Sequence, residues 1–368
     1  MQIRPLLLAT ACWVVGACRA EESGKSPNRD RGISVSLPVF VWDSTLTASP
    51  ELAAVNTPIA ILQGGAIALG SSINDDGSPI VMMDEDGKLT SLGLRGRGPG
   101  ELQTVADLFA GEGQLYAYDM SGLKLVALEL EGETRAQHQF QGPVFPLHLI
   151  GDSVDVLRFS SRGRLEFQRV KFGSSEGRVL LDDRDSVFLT RFILPFEKQR
   201  SRQPVYPARA TEPGKLAVGD PMQYRIYEFD IAGEQPVRQF GRDIPRYRRS
   251  EAEIQTELES LRRYRGPDGK PLGPDALAAQ ESRLREEDLP YFGSRKGMMY
   301  DDLGRLWVVG AHADSVAIDV FADSSFLGRV SIPCNGFGGS WARSASRAAF
   351  VCLDAQVPRL KVFNVTVN

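Results

Sequence analysis

Short apolar runs separated by turn residues recur along the chain from residue 33 onward. Residues 225–230 and 359–365 alternate between apolar and polar positions with a period of two. Such alternation is typical of a strand with one buried face. Asp-Gly pairs at 76–77 and 86–87 lie between runs of this kind, and Asp-Gly is a frequent hairpin turn. The pattern predicts an antiparallel, all-β protein.

The predicted strands group into units that recur every ~40 to 50 residues, a period typical of propeller blades. A sandwich, a barrel and a propeller can all hold many antiparallel strands. The long repeat favours a propeller, because a ring of blades protects its strand edges. We therefore predict an all-β fold, a six-bladed β-propeller with an α-helical hairpin insertion. The predicted blades are 66–98, 104–140, 144–181, 189–241, 292–332 and 336–365.

Residues 246–290 break the strand pattern and predict two helices inserted between blades. Ser250 followed by Glu253 is a capping box, which marks a helix start. Apolar residues at spacings of four and three, from Ile254 onward, then form one stripe, and 275–287 predict a second helix. We expect this helical hairpin to pack across a face of the ring. The alternative is a lid or a partner-binding arm, since long insertions are often functional.

The first 17 residues predict a secretory signal peptide. Their apolar run, 6–15, is too short for a permanent membrane helix. The run leads into Val-Gly-Ala-Cys at 15–18, which resembles a bacterial lipobox. That resemblance implies cleavage before Cys18 and lipidation of its thiol. The alternative is an ordinary signal peptide that is cleaved without lipidation.

Residues 18–32 are predicted to form a lipidated, flexible tether, because 21–32 contain no large apolar residue to bury. We expect residues 33–368 to form a single β-propeller domain. The signal and the lipobox together predict a protein of the bacterial cell envelope, lipid-anchored and facing the periplasm or the exterior.

Cys334 and Cys352 are the cysteines that remain once the signal is removed and Cys18 is lipidated. Two cysteines in an oxidising compartment often pair. On the chain-entropy model, closing a loop of this length would contribute about 3 kcal/mol to stability. We therefore predict a disulfide between them. The alternative is two buried free thiols on neighbouring strands, because Cys352 lies within an apolar run.

The string Gly-Arg-Gly-Pro-Gly-Glu at 96–101 is the most distinctive motif of the chain. Pro-Tyr-Phe at 290–292, Asp-x-x-Gly-x-Leu-Trp-Val at 301–308 and Gly-Arg-Val-Ser-Ile-Pro at 328–333 accompany it. Together they resemble bacterial six-bladed β-propeller lipoproteins, which are relatives of NHL-repeat propellers. The resemblance covers residues 66–365. It implies a fold more than a function, since most of these relatives have no assigned activity.

The same string is a candidate binding loop. Glycines permit positive φ, and a glycine loop can lend backbone N–H groups to an anion while arginine adds charge. No Gly-Lys-Ser/Thr follows, so it is not a phosphate-binding P-loop. The alternative is a tight turn between blades whose Arg and Glu side chains bond to neighbouring blades. The candidate loop residues are Arg95, Gly96, Arg97, Gly98, Gly100 and Glu101.

Basic residues cluster in two places although the net charge is −4. Residues 191–209 and 238–249 hold five each. If both clusters face one mouth of the ring, they form a basic rim that suits an acidic protein, an anionic saccharide or lipid head groups. Otherwise they are ordinary solvated arginines. The candidate rim residues are Arg246, Arg248 and Arg249.

Motifs for catalysis and metal binding are sparse. The three histidines, His138, His148 and His312, are far apart in sequence and neither HxxxH nor CxxC occurs, so no metal site and no cofactor is predicted. Acidic turns such as 84–86 and 301–302 leave calcium as the alternative, although none matches an EF-hand loop. No catalytic triad is recognisable.

We therefore predict a membrane-anchored binding module rather than an enzyme. Its partner would be an unknown protein, saccharide or small-molecule ligand, and the lipid anchor would attach it to the membrane. Compartment and charge argue against nucleic acid, and we expect a monomer. The alternative is a propeller hydrolase or lyase, similar to lactonases, that uses a divalent cation in the central channel. A metal assay on the purified protein separates the two predictions.

Overall fold

In the computed structural model, the described strands and helices lie within residues 36–368. Among the described residues, none of the helices is both long enough and apolar enough to cross a membrane. The structure describes residues 37–42, 52, 57–70, 77–111, 113–131, 133–142, 144–159, 165–174, 177–182, 207–209, 215–220, 223–230, 236–245, 247–263, 271–286, 288–289, 291, 297–301, 303–311, 315–335, 337, 339–354 and 357–366.

The described strands form six four-stranded antiparallel sheets and one two-stranded ladder. In five of the sheets the strands follow one another along the chain. The innermost strands of blades 1 to 5 contact one another in order, and that of blade 1 contacts that of blade 6, so the sheets stand around a common axis. The six-bladed β-propeller predicted from the repeat is confirmed.

Each of the first five blades is a meander of consecutive strands. Blade 1 contains β2 (Ile59–Ile61), β3 (Ile67–Gly70), β4 (Ile80–Met83) and β5 (Leu89–Leu92). Blade 2 contains β6 (Val105–Gly111), β7 (Gln114–Asp119), β8 (Lys124–Glu129) and β9 (Thr134–Gln139). Blade 3 contains β10 (Val144–Ile150), β11 (Ser153–Phe159), β12 (Leu165–Lys171) and β13 (Gly177–Asp182). Blade 4 contains β14 (Pro207–Arg209), β15 (Lys215–Asp220), β16 (Arg225–Asp230) and β17 (Pro236–Gly241). Blade 5 contains β20 (Met298–Tyr300), β21 (Leu306–Ala311), β22 (Ser315–Ala322) and β23 (Ser325–Pro333).

Blade 6 is built from both ends of the chain. Its strands β24 (Trp341–Arg343), β25 (Arg347–Asp354) and β26 (Val357–Thr366) are followed, on the outside, by β1 (Val39–Trp42). β1 pairs antiparallel with β26, with Val39 opposite Thr366. The predicted blade 336–365 lacked this strand, because a local repeat cannot join segments from opposite ends of the chain.

The other predicted boundaries shift by smaller amounts. Blade 1 begins at Ile59, seven residues before the predicted start at 66, because the short strand β2 precedes the first clear alternation. The described part of blade 4 begins at β14 (Pro207–Arg209), whereas the prediction started at 189. Residues 183–206, which include much of that prediction, lie outside the described residues.

Two helices, α1 (Glu251–Arg263) and α2 (Pro274–Glu286), lie between blades 4 and 5. The capping box forms: the Glu253 N–H donates to Ser250 Oγ at 3.3 Å, and the Ser250 N–H donates to the Glu253 carboxylate at 2.7 Å. We expected the apolar stripe of α1 to pack across the ring. Instead, Ile254 and Leu258 form a buried cluster with Leu284 of α2.

The helices join the ring through the two-stranded ladder. β18 (Tyr247–Arg248) and β19 (Asp288–Leu289) pair antiparallel, with Arg248 opposite Asp288. The chain therefore leaves and re-enters the ring at adjacent positions. Because the buried members of the helix cluster all come from α1 and α2, the helices supply that cluster themselves.

Excision of residues 249–287, with an Asn-Gly turn joining Arg248 to Asp288, should leave the ring intact. The two ladder residues are already paired, and an Asn-Gly turn suits a two-residue hairpin. Thermal unfolding should show a Tm within about 4 °C of the intact protein. A fall in Tm of more than about 10 °C would show that the ring depends on the helices.

Candidate functional site

The glycine-rich string forms a closed loop between β5 of blade 1 and β6 of blade 2. The Leu102 N–H donates to the Leu94 carbonyl at 2.8 Å, and the Gly96 N–H donates back to the Leu102 carbonyl at 3.1 Å. Leu102 itself is buried in the apolar cluster shared by blades 1 and 2. The interface between the two blades therefore positions the base of the loop.

Glu101 turns inward and fills the loop. Its Oε2 accepts a hydrogen bond from the Gly98 N–H at 2.7 Å. A Cβ atom placed on Gly96 would lie 2.0 Å from that same oxygen, so only glycine leaves room for the carboxylate. The Glu101 carboxylate is thus bound by the backbone of its own loop.

Side chains of blade 2 hold the far side of the loop. Lys124 Nζ donates to the Gly98 carbonyl at 2.9 Å, and the Gly100 N–H donates to Gln137 Oε1 at 3.0 Å. Gly100 has a φ of +75°, and a Cβ there would lie 2.4 Å from Thr134 Oγ1. Lys124 is buried, which strengthens its hydrogen bond to the loop.

The N–H groups of Gly96, Gly98 and Gly100 thus all donate within the protein. The loop is therefore a turn between blades 1 and 2 that is closed by its own bonds and by bonds to blade 2. That it also binds an anion stays a prediction. Arg95 is half-buried and Arg97 is exposed.

A second connection, the turn between β7 and β8, is bonded to the same loop. The buried Asp119 carboxylate accepts the N–H groups of Gln103 and Thr104, both at 3.0 Å, and that of Ser121 at 3.1 Å. Leu123 ends the turn with a φ of 49°. One carboxylate therefore joins the loop after blade 1 to a turn of blade 2.

Apolar and cationic side chains remain exposed on these joined connections. Leu94 is 70% exposed and Met120 is 48% exposed. Arg97 and Pro99 are exposed as well. We call Leu94, Arg97, Pro99 and Met120 the loop platform. The sequence identified the glycine loop but missed Met120 and Asp119, although the Asp-Met-Ser-Gly turn at 119–122 was visible.

The candidate basic rim lies only partly within the described residues, so it stays a prediction. Arg246 lies outside them, and so do residues 191–206. Arg249 is largely buried and its Nε lies 3.6 Å from Glu257 of α1. Arg248 is exposed in the two-stranded ladder.

Other arginines of this region bind buried acids at the seam between blades 4 and 5. Asp319, which is 1% exposed, accepts hydrogen bonds from Arg329 at 2.6 and 2.9 Å and from Arg242 at 2.8 Å. The Tyr224 hydroxyl donates to the same carboxylate. Burial alone would raise the pKa of Asp319, but hydrogen bonds from Arg329, Tyr224 and Arg242 outweigh it and lower the pKa.

A reciprocal contact reinforces this seam. Tyr300 of blade 5 donates to Glu228 of blade 4 at 2.9 Å, just as Tyr224 of blade 4 donates to Asp319 of blade 5. Burial, followed by the Glu228 charge, raises the pKa of Tyr300, so its phenol stays protonated as a donor. The seam therefore uses its charges to join two blades.

Cys334 and Cys352 form a disulfide, with their Cα atoms 5.1 Å apart. It connects the end of blade 5 to the second strand of blade 6, and both residues are buried. Cys18, the predicted lipidation site, lies outside the described residues.

The carboxylates of the acidic turns accept hydrogen bonds from nearby backbone and side-chain groups. Asp84 Oδ1 accepts the N–H groups of Asp86 and Lys88 at 3.1 and 2.8 Å. Asp301 accepts bonds from the Arg305 and Trp307 side chains at 2.7 and 3.1 Å. Among the described residues, no three His, Cys, Asp or Glu side chains are grouped to hold a metal ion.

Comparisons with known proteins agree on the fold. No family model matches the chain, and no curated protein matches it. A solved member of the DUF4221 family from Bacteroides vulgatus is similar with a TM-score of 0.52 and 10% identity, over 91% of this chain and 98% of that one. This similarity supports the propeller fold.

Two further solved structures are more distant. The β-propeller domain of Myceliophteria thermophila Swd1 matches with a TM-score of 0.45 and 13% identity, over 86% of this chain and 98% of that one. A virginiamycin B lyase of Staphylococcus aureus matches with a TM-score of 0.38 and 11% identity, over 87% and 98%.

Asp319→Asn should destabilise the protein by about 2–3 kcal/mol at pH 7. This loss is smaller than for a fully buried ion pair, because the side chains of Arg242 and Arg329 reach solvent. The folded-state pKa of Asp319 is depressed below its ordinary 3.8. Its stabilisation is therefore present above pH 3.8 and is lost as the pH falls below that value. Denaturant unfolding of both proteins between pH 7 and pH 2 should show the difference shrinking in acid.

Asp243→Asn is the matched control. Asp243 also pairs with an arginine, Arg225, but its side chain is 89% exposed. Its replacement should cost less than about 1 kcal/mol. Equal losses for the two variants would contradict the role assigned to Asp319.

Proposed function

We propose that the protein is a lipid-anchored, extracytoplasmic binding module, related to NHL-like propellers, whose loop platform captures a partner protein. The observation that carries the proposal is the exposure of Leu94 and Met120 on connections held by internal hydrogen bonds. Exposed connections on a rigid scaffold are where propellers and other folds present recognition residues.

The rigidity of the platform favours binding. Association costs free energy when loops and side chains become ordered, and a backbone that is already held avoids most of that cost. Here Lys124 and Asp119 bind the two connections, and Glu101 fills the loop. Leu94 and Met120 then gain hydrophobic free energy when a partner covers them.

The charges of the platform suggest the chemistry of the partner. The carboxylates of Glu101 and Asp119 point inward, where they accept backbone N–H groups. Arg97 is exposed on the same loop. A protein surface with apolar side chains beside a carboxylate complements this arrangement, whereas a saccharide would leave Leu94 and Met120 without apolar partners.

The number of residues between the anchor and the ring would limit how far the ring lies from the membrane. Val39, the first residue of β1, is 21 residues after Cys18 (39 − 18 = 21). An extended chain of that length spans at most ~70 Å. Partners in the same envelope layer are therefore within reach.

Leu94→Ser combined with Met120→Ser should lower partner capture by about tenfold or more, since burial of these two side chains would contribute about 1.5–3 kcal/mol each. The measurement is quantitative mass spectrometry of proteins that co-purify from detergent-solubilised envelopes. Leu303→Ser is the control, because Leu303 is 63% exposed but lies on blade 5. Capture that survives the double variant, or that falls equally in the control, counts against the platform.

Cys18→Ala should release the mature protein from membranes. Acyl chains contribute about 0.8 kcal/mol per buried methylene, so their loss removes the attachment. Detergent phase partitioning should place the wild-type protein in the detergent phase and the variant in the aqueous phase. Cys12→Ala, within the signal peptide, should leave partitioning unchanged. A variant that stays in the detergent phase would overturn the anchor.

A further inference from the structure

Met120 has the most exposed side chain of the described methionines. It is 48% exposed, whereas Met83 and Met298 are 1% and 5% exposed. Met82 and Met299 are half-buried, and each packs against an apolar cluster. A dissolved oxidant converts a thioether to a sulfoxide only where it can reach the sulfur. Among the described methionines, Met120 is therefore the first to react.

The turn that carries Met120 is held on both sides of this residue. The Met120 N–H donates to the Thr104 carbonyl at 3.1 Å. The buried Asp119 carboxylate, just before Met120, accepts the N–H groups of Thr104 and Ser121 at 3.0 and 3.1 Å. The turn therefore presents the Met120 side chain to solvent on a fixed backbone.

The described cysteines offer no thiol that would compete for an oxidant. Cys334 and Cys352 form the disulfide, and both are buried. The thiolate is the reactive form of cysteine towards oxidants, and a disulfide contains none. This leaves the thioether of Met120 as the most accessible sulfur among the described residues.

We propose that Met120 is an oxidation site through which a peroxide regulates partner binding at the loop platform; the proposal rests on the proposed function of that platform. The thioether sulfur attacks one oxygen of hydrogen peroxide, so that an S–O bond forms as the O–O bond breaks. The proton of the transferred oxygen passes to the departing hydroxide, which leaves as water. The sulfur loses two electrons, the peroxide gains them, and the product is methionine sulfoxide.

The sulfoxide changes what the platform can bury. Its oxygen is a hydrogen-bond acceptor, and covering it with the apolar surface of a partner removes its hydrogen bonds to water, which costs free energy. Leu94 is unchanged, so one of the two apolar contacts remains. Because oxidation weakens binding, a bound partner must in turn disfavour oxidation of Met120.

The first measurement is the rate of oxidation in the purified, folded protein. Hydrogen peroxide is added without denaturant, and the sulfoxide at each methionine is quantified by mass spectrometry over time. Met120 should be oxidised at least about tenfold faster than Met83 and Met298, whose sulfurs become accessible only when the ring opens locally. Equal rates at the three positions would overturn the site.

The second measurement compares partner capture before and after oxidation. The purified protein is treated with peroxide, catalase removes the excess, and capture from detergent-solubilised envelopes is compared with the untreated sample of the same variant. Treatment should lower capture by the wild type about tenfold or more, because the partner would have to cover a polar sulfoxide. It should lower capture by Met120→Leu less than about twofold, since leucine is apolar and has no sulfur.

Met82→Leu is the matched control. Met82 is half-buried in β4 of blade 1, outside the platform. After peroxide treatment this variant should lose capture to the same extent as the wild type. A Met82→Leu variant that resists peroxide would assign the effect to Met82 and would refute the role of Met120.

The reverse effect is measured on the co-purified complex. There, oxidation of Met120 should slow at least about fivefold relative to that of Met82, because a bound partner covers the platform. Oxidation of Met120 at the rate found in the free protein would show that the captured partner lies elsewhere, and would overturn the proposal.

Failure of the oxidation site and failure of the platform give different results. If Leu94→Ser with Met120→Ser lowers capture but peroxide does not, the platform binds its partner and the regulation is refuted. If that double variant leaves capture unchanged, the platform itself fails, and the regulation fails with it. An equal loss on treatment in the wild type and in Met120→Leu would place the sensitive residue elsewhere and refute the site.

Discussion

Every blade of this protein has two apolar faces, and both must be covered by neighbouring blades. That requirement is met only when blade 6 packs against blade 1. Ile59, Ile67 and Met83 of blade 1 share a buried cluster with Val351 and Val362 of blade 6. Arg347 adds a hydrogen bond from blade 6 to the Gly65 carbonyl at 3.1 Å. All blade faces are therefore buried only when the ring is closed, because an open ring would leave two apolar faces in water.

Carboxylates that face into the protein perform a second task in the ring. Glu101 fills a glycine loop, Asp119 joins that loop to a turn, and Asp319 joins two blades through arginine and tyrosine. Each carboxylate is satisfied by donors, as a buried charge must be. The inward-facing carboxylates bond to the backbone of the connections and fix it. Apolar side chains on the outside of these connections are therefore exposed on a fixed backbone. The same few residues therefore hold the connections that carry the proposed binding surface.

The sequence predicted local features well and long-range ones poorly. Alternation and turns located strands such as β16 and β26, and the Ser250–Glu253 capping box located α1. The pairing of β1 with β26 left no local pattern. The partners of the acidic residues could not be predicted from the sequence either. Asp319 accepts a hydrogen bond from Tyr224, which is 95 residues away, and the sequence around neither residue indicates the other. For the site, the glycine string was visible, but the direction of Glu101 depended on contacts that only the folded loop provides.

The pairing of β1 with β26 also determines when blade 6 can be completed during synthesis. A ribosome makes β1 before the other described strands, and its partner β26 is the last of them, with Thr366 made 327 residues after Val39 (366 − 39 = 327). Bringing such distant segments together carries the largest loop-closure cost in the chain, so their pairing belongs to the end of folding. Blade 6 therefore lacks its outermost strand until β26 has been made and has paired with β1.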